Sequence, residues 1–340
     1  MAISYAGSNY HDPKCDSSVA EVRTVSIVRV VRPMRGRSGA YLVEGSDGRF
    51  YVAKFKGNPK GTRTLINELL GSAIFRSRAL PAAEGVVLKL SEEALCGSDW
   101  PLVGTGGDRH KAEAGLHFGS AVPGNPDKNS IYDFIPSKLN YMVVNRDSFH
   151  MALILDVVLG RSERRQCVFT RNADRKLNPY FIDNSMLFGG SDWAFGAIAE
   201  QSSYIDVDIY SGSFDSSVYV EACSSIIELV AAMRTELLGQ IPSEWIEGNE
   251  NELHLLLDCL CHRILSLQTD RPWDGIQFET DESLMMLLGR LNLWASIHNL
   301  TGPSTNVALS RKPVHAERLA GGAKRYSANL SANAARGVAS

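Results

Sequence analysis

Between residues 21 and 56 apolar and polar positions alternate in three segments, "VRTVSIVRVV", "AYLVEG" and "RFYVAKF". Alternation with period two predicts β-strands, and the Asp47-Gly48 pair in the "SDG" joining the last two is a strong hairpin signal. A small antiparallel sheet is the expectation. At residue 61 the period changes. "GTRTLINELLGSAIFRSR" sets Leu65, Leu69 and Ala73, and then Ile66, Leu70 and Ile74, at helical spacing, with Thr62 or Thr64 available as the cap and Pro81 as the stop. "EGVVLKL" at 84–90 reads as a buried strand and "EEALCG" as a short helix or turn. Residues 98–130 are rich in Gly and Pro without a sustained period, and predict a long loop joining two lobes.

Beyond that joint the character is different. "FHMALILDVVLG" at 149–160 has the length of a helix, and "QCVFTR" and "PYFID" read as two strands around the polar turn "NADRKLN". From about 219 to 298, "VYVEACSSIIELVAAMRTEL", "ENELHLLLDCLCHRILSLQ" and "DESLMMLLGRLNLWASIH" each place apolar residues three and four apart. The pattern divides the chain into a β-rich N-terminal lobe of about 21–135 and a mainly helical C-terminal lobe of about 136–300. Residues 1–20 and 301–340 hold few large apolar residues and are expected to be disordered.

Composition narrows the function classes. With 340 residues, 44% of them hydrophobic, the chain can bury a sizeable core. A net charge of −3 gives no general attraction to polyanions, so neither nucleic acid nor membrane is an expected partner. The longest apolar run, "MALILDVVLG", is too short to span a bilayer and carries Asp156. Six scattered cysteines and a start, "MAISYAGSNYHD", without the features of a secretory signal lead to an expected cytoplasmic location with reduced thiols.

Candidate chemistry begins with Lys54 in "YVAKF". Alternation puts Tyr51, Ala53 and Phe55 on one face and Val52 and Lys54 on the other, so a lysine stands in mid-strand. Two readings fit: a surface lysine on an edge strand, or the strand lysine that holds ATP phosphates, with Glu68 in the following helix as its partner. Gly36 and Gly39, in a basic turn between strands, are candidates to approach phosphate. Asp183 in "YFIDN" ends an apolar strand, as a turn residue or as the carboxylate that holds a hard cation. Twenty residues before it lies "RSERRQ", a charged turn or a catalytic loop. "CLCH" at 259–262 is a poor metal motif, because Cys259 and Cys261 point about 200° apart on a helix.

In their order, "AYLVEGSDGRFYVAKFKG", "LINELLGSAIFR", "GLHFGS", "IYDFIPS", "LGRSERRQCVF" and "YFIDNSMLFGGSDWAF" resemble the HipA-like kinases, a bacterial branch of the protein-kinase-like fold, over about 22–270. The resemblance implies an α+β, two-lobed protein-kinase-like fold and transfer of the ATP γ-phosphoryl group, with Mg²⁺, to a hydroxyl of an unidentified protein or small-molecule acceptor. Lys54 would hold phosphates, Glu68 would partner it, Asp183 and Gln166 would hold the metal, and Glu163 would serve as catalytic base beside Gln166. The chain departs from the family where Gly-Asn-x-Asp-x-Arg-Gln is expected and Gly160, Arg161, Ser162, Glu163, Arg164, Arg165 and Gln166 stand; Asn184 also replaces a common histidine. The extra methylene of Glu163 shifts its carboxylate by about 1.5 Å, and errors of about 1 Å cost on the order of 100-fold in rate. Weak catalysis, altered chemistry and a pseudokinase that only binds nucleotide or partners all fit. Arg161, Arg164 and Arg165 are placed to neutralise Glu163 or to hold phosphate.

Overall fold

The computed structural model describes residues 21–35, 39–58, 60–93, 101–103, 110–127, 130–195, 203–211, 237–272 and 281–297. Gly36, Arg37, most of "EEALCG", most of "VYVEACSSIIELVAAMRTEL" and both terminal segments expected to be disordered lie outside them.

The three alternating segments form β1 (Thr24–Pro33), β2 (Tyr41–Gly45) and β3 (Phe50–Lys54), paired antiparallel in sequence order. The predicted hairpin is present: Gly45 N donates to Arg49 O and Gly48 N to Gly45 O, with Gly48 at φ +73°. The sheet goes further than the alternation indicates. β4 (Gly85–Leu90) pairs parallel with β1, and β7 (Gly115–Ala121) lies antiparallel between β3 and β4, so the five strands close into a barrel. Closure leaves no long edge to template aggregation. Val25, Ile27, Val43, Tyr51, Ala53, Phe55, Val86 and Leu88 fill the interior.

The expected loop at 98–130 is corrected by β7, and by the short pair β5 (Leu102–Val103) and β6 (His110–Lys111). Glycines in "GLHFGSA" conceal the strand because packing, not propensity, selects them. A Cβ on Gly119 would stand 2.6 Å from two carbons of the Leu88 side chain, so the strand's approach to that side chain excludes one.

Helix α1 (Arg63–Ser77) follows β3 and buries eleven of its fifteen residues, polar Asn67 and Glu68 among them. Neither expected cap acts as one. The Thr62 hydroxyl donates to Trp245 O (2.8 Å) and that of Thr64 to Gly61 O (2.9 Å), so both serve the tertiary contact and the entering turn. At Gly71 a Cβ would fall 2.6 Å from Asn184 and Leu187, and this close approach sets α1 against the segment after β10.

The second half is built on a hairpin, β9 (Gln166–Arg171) with β10 (Leu177–Ile182), and a short flanking strand β8 (Ile131–Tyr132). Helix α2 (Asp147–Val158) precedes the hairpin; α3 (Ser243–Ile246), α4 (Glu250–Asp270) and α5 (Asp281–Ile297) follow. One large apolar cluster joins α1, α2, the hairpin and α4. Buried Arg263 of α4 donates to the Val157 and Val158 carbonyls, satisfying acceptors at the end of α2 that have no partner within the helix. A strap returns to the barrel: Lys56 pairs with Glu244, which also accepts from Leu116 N (2.7 Å), and Trp245 Nε1 donates to Leu116 O (2.8 Å).

Candidate functional site

Three elements end at one place. Since Tyr51, Ala53 and Phe55 occupy the barrel interior, Lys54 faces outward, and α1 covers it there. β3 lies between β2 and β7 and Lys54 is 8% exposed, so the edge-lysine reading is excluded. Its ammonium donates to Glu68 Oε1 and, at 2.8 Å, to Asp183 Oδ1. Asp183 follows β10 directly, with φ at +59°, the sparsely populated left-handed region. Its Oδ1 also accepts from the Ser185 hydroxyl (2.7 Å) and its Oδ2 from Gln166 Nε2 (2.9 Å). Glu68 Oε2 accepts from Asn184 N (2.8 Å), so helix and post-strand segment are joined at the side chain and at the backbone.

Electrostatics follow the geometry. Burial disfavours a charged Lys54, but Glu68 and Asp183 outweigh it and hold the ammonium above its ordinary pKa. Burial also works against an ionised Asp183, and here Lys54, the Ser185 hydroxyl and Arg161 prevail, keeping the carboxyl well below the usual range. Glu68 is the group pushed up, by burial first and by the nearby Asp183 charge. A buried cation flanked by two carboxylates is a place where charges are fixed before any ligand arrives.

Around it, Asn67 Nδ2 donates to the carbonyls of Ser185 (2.9 Å), Leu187 (3.0 Å) and Gly190 (3.0 Å), and Asn67 Oδ1 accepts from Trp193 Nε1 (2.7 Å). One buried amide thus ties the segment after Asp183 to α1. Gly189, at φ +79°, permits the turn; a Cβ there would fall on Ala194 O.

The "RSERRQ" loop differs from expectation. Arg161 is 1% exposed and directs its guanidinium inward, Nε to Glu163 O (2.8 Å) and Nη2 to Arg164 O (3.1 Å) and Asp183 O (2.8 Å). Arg165 makes a two-pronged pair with the buried Asp156 carboxylate, donates to Asn184 Oδ1 (2.8 Å) and lies over the Phe75 ring. Neither hydrogen-bonds the Glu163 carboxylate; backbone carbonyls take Nε and Nη2 of Arg161, and the Asp156 carboxylate, Asn184 Oδ1 and Ile182 O take the donors of Arg165. Arg164 and Glu163 are exposed, and the Glu163 carboxylate makes no hydrogen bond among the described residues. Gln166 reaches Asp183 through its NH₂ group. Gly39 has φ +60° and makes no hydrogen bond to the cluster among the described residues.

The sequence alone gives Asp156, Arg161, Arg165 and Asn67 no structural role. A single acid in the apolar run "MALILDVVLG" is the signal that was there to read, because a buried carboxylate requires a partner. His117 of β7 is a further buried polar group: its Nδ1 accepts from Lys56 N (2.9 Å) and its Nε2 lies 3.1 Å from Glu113 O, so the neutral ring carries its proton on Nε2. Burial pushes its pKa down to about 4.

The chain matches no family model and no curated protein, so neither comparison supports membership of the HipA-like kinases. Among solved structures it is similar to a Golgi casein kinase, at 13% identity and a TM-score of 0.31, covering 87% of this chain and 74% of that one. A second structure of the Golgi casein kinase, with Mn and ADP bound, gives 12% identity and a TM-score of 0.29, covering 83% of this chain and 73% of that one. Likenesses at these TM-scores decide nothing about the site. The observed class is α+β. Among the described residues no helix is long and apolar enough to cross a membrane.

Proposed function

We propose that the chain is a two-lobed, HipA-like kinase that binds ATP with Mg²⁺ at Lys54, Glu68 and Asp183 and transfers the γ-phosphoryl group to a hydroxyl of a protein or small-molecule acceptor. The observation that carries this reading is the Lys54 ammonium bonded to both Glu68 of α1 and Asp183 after β10. A structural ion pair needs one carboxylate; a lysine between a helix glutamate and a strand-end aspartate is the set that phosphoryl transfer uses.

The donor chemistry fits a hard divalent cation. Asp183 and the amide oxygen of Gln166 are oxygen ligands, and Gln166 would turn its amide over to present that oxygen. No group of three or more His, Cys, Asp or Glu side chains is placed to hold a metal among the described residues. The cation would therefore arrive with the nucleotide, whose phosphates complete its shell. When bound, Mg²⁺ supplies neutralisation of phosphate charge. Lys54 would orient the phosphates, Glu68 and Asn184 would fix Lys54 and α1, and Glu163 would accept the hydroxyl proton as the acceptor oxygen bonds to phosphorus and ADP leaves.

The solvent-directed Glu163 favours a second reading: a pseudokinase that binds nucleotide or a partner without transfer. Labelled ATP turnover separates the two. Transfer that Glu163→Gln abolishes supports the kinase; ATP binding with no transfer to any acceptor supports the pseudokinase. Absence of ATP binding with and without Mg²⁺ contradicts both.

A further inference from the structure

A cavity of about 400 Å³ lies apart from the Lys54 cluster, walled by Arg49 and Phe50 of the barrel, Arg76 at the end of α1, Ala83 and Glu84, Val122 and Tyr180 of β10. That volume is at the lower end of the roughly 300–1,000 Å³ range of small-molecule sites. Its floor is fixed by hydrogen bonds: Ala83 N donates to Phe181 O (3.1 Å), Phe181 N to Pro81 O (2.7 Å), and the Ser72 hydroxyl to Ala83 O (2.6 Å).

The charges in the walls are unequal in their engagement. Glu84 accepts from Arg23 (2.9 Å) and from Arg49 (2.7 Å), so its carboxylate is used from both sides. Arg76 is exposed; its side chain has no carboxylate within 4.0 Å among the described residues, and its one side-chain hydrogen bond there is a long one to Ala82 O (3.4 Å). The Tyr180 hydroxyl, half-buried in the same wall, makes no hydrogen bond among the described residues. Two arginines against one glutamate leave one positive charge in excess. Arginine presents a planar fork that matches an oxyanion, and the small apolar surfaces of Ala82, Ala83 and Ala121 suit a compact body behind it.

We infer that this cavity is a binding site for a small organic oxyanion, a carboxylate or phosphate monoester on a short apolar body, held by Arg76 and Tyr180. The site owes nothing to Lys54, Glu68 or Asp183, so it stands whether or not the chain is a kinase. The test is titration of the full chain, followed calorimetrically, with benzoate, phenyl phosphate and the neutral benzyl alcohol. Both anions should bind saturably, and the tighter of them distinguishes carboxylate from phosphate recognition. Benzyl alcohol should bind at least about tenfold more weakly, and Arg76→Met should weaken the anions about tenfold or more, as loss of a charge-assisted hydrogen bond requires. Tyr180→Phe should weaken them about two- to fivefold. Equal binding of benzyl alcohol, an unaltered Arg76→Met, or no saturable binding of either anion would each overturn the assignment.

Discussion

Replacing Lys54 by Met should cost stability before any nucleotide is added. Methionine keeps the length and apolar stem of the side chain, so little packing is lost. What is removed is the charge shared by two shielded carboxylates: the side chains of Glu68 and Asp183 are 2% and 22% exposed. Breaking a buried pair costs about 3–5 kcal/mol, because the remaining charge is left uncompensated. Glu68 keeps the Asn184 N–H and Asp183 keeps the Ser185 hydroxyl and the Gln166 amide, which places the loss at the lower end, about 3 kcal/mol. In melting temperature that is a fall of about 6–12 °C for a domain of this size. The pH dependence has a definite sign. With the ammonium gone, burial and mutual repulsion raise the folded-state pKa of the two carboxyls above the unfolded value. The deficit is then full at neutral pH and shrinks as pH falls through the raised pKa toward the unfolded range. Urea denaturation of both proteins at about pH 7.5 and pH 5, without nucleotide, measures this. A variant within about 0.5 kcal/mol of the parent at neutral pH, or a deficit that grows in acid, would refute the bridging role.

Further outcomes follow from other contacts. Arg165→Met leaves the fully buried Asp156 carboxylate with only Arg161, at 4.0 Å, as counter-charge, and should cost about 3 kcal/mol in denaturant titration, with Asp156→Leu in the same chain restoring part of it. Gly119→Ala forces a Cβ onto Leu88 and should destabilise by about 1–3 kcal/mol without changing the fold seen by circular dichroism. The lowered pKa of His117 means the unfolded chain takes up the proton first. Stability is intact above about pH 6.5 and falls toward pH 4, with about 2 kcal/mol lost by pH 5 and that slope missing in His117→Gln.

β1 to β3, α1 and the last two helices were legible from apolar positions recurring at a regular period, and β4, α2 and the β9–β10 hairpin from apolar runs of strand or helix length bounded by polar turns. The barrel's closure was not, since a parallel β1–β4 pair leaves no mark in either strand, and β7 was hidden by its glycines, of which Gly119 is required by the approach of Leu88. At the site, Lys54, Glu68 and Asp183 could be picked out as charged groups in apolar settings, and the structure brings them together. The arginines of "RSERRQ" could not be assigned in the same way. Solvated turns and buried braces use the same residues, and only the carbonyls of Glu163, Arg164 and Asp183 and the carboxylate of Asp156 show that Arg161 and Arg165 point inward. Nor does sequence indicate that Glu163 faces solvent.

The central claim is that Lys54, Glu68 and Asp183 form a nucleotide-phosphate and cation site. Calorimetric titration of ATP into the full chain, with and without Mg²⁺, tests it most directly, with Asp183→Asn alongside. The account predicts binding that Mg²⁺ tightens by about tenfold or more, with that gain absent in Asp183→Asn. No ATP binding under either condition, or an Mg²⁺ gain that survives Asp183→Asn, would contradict it.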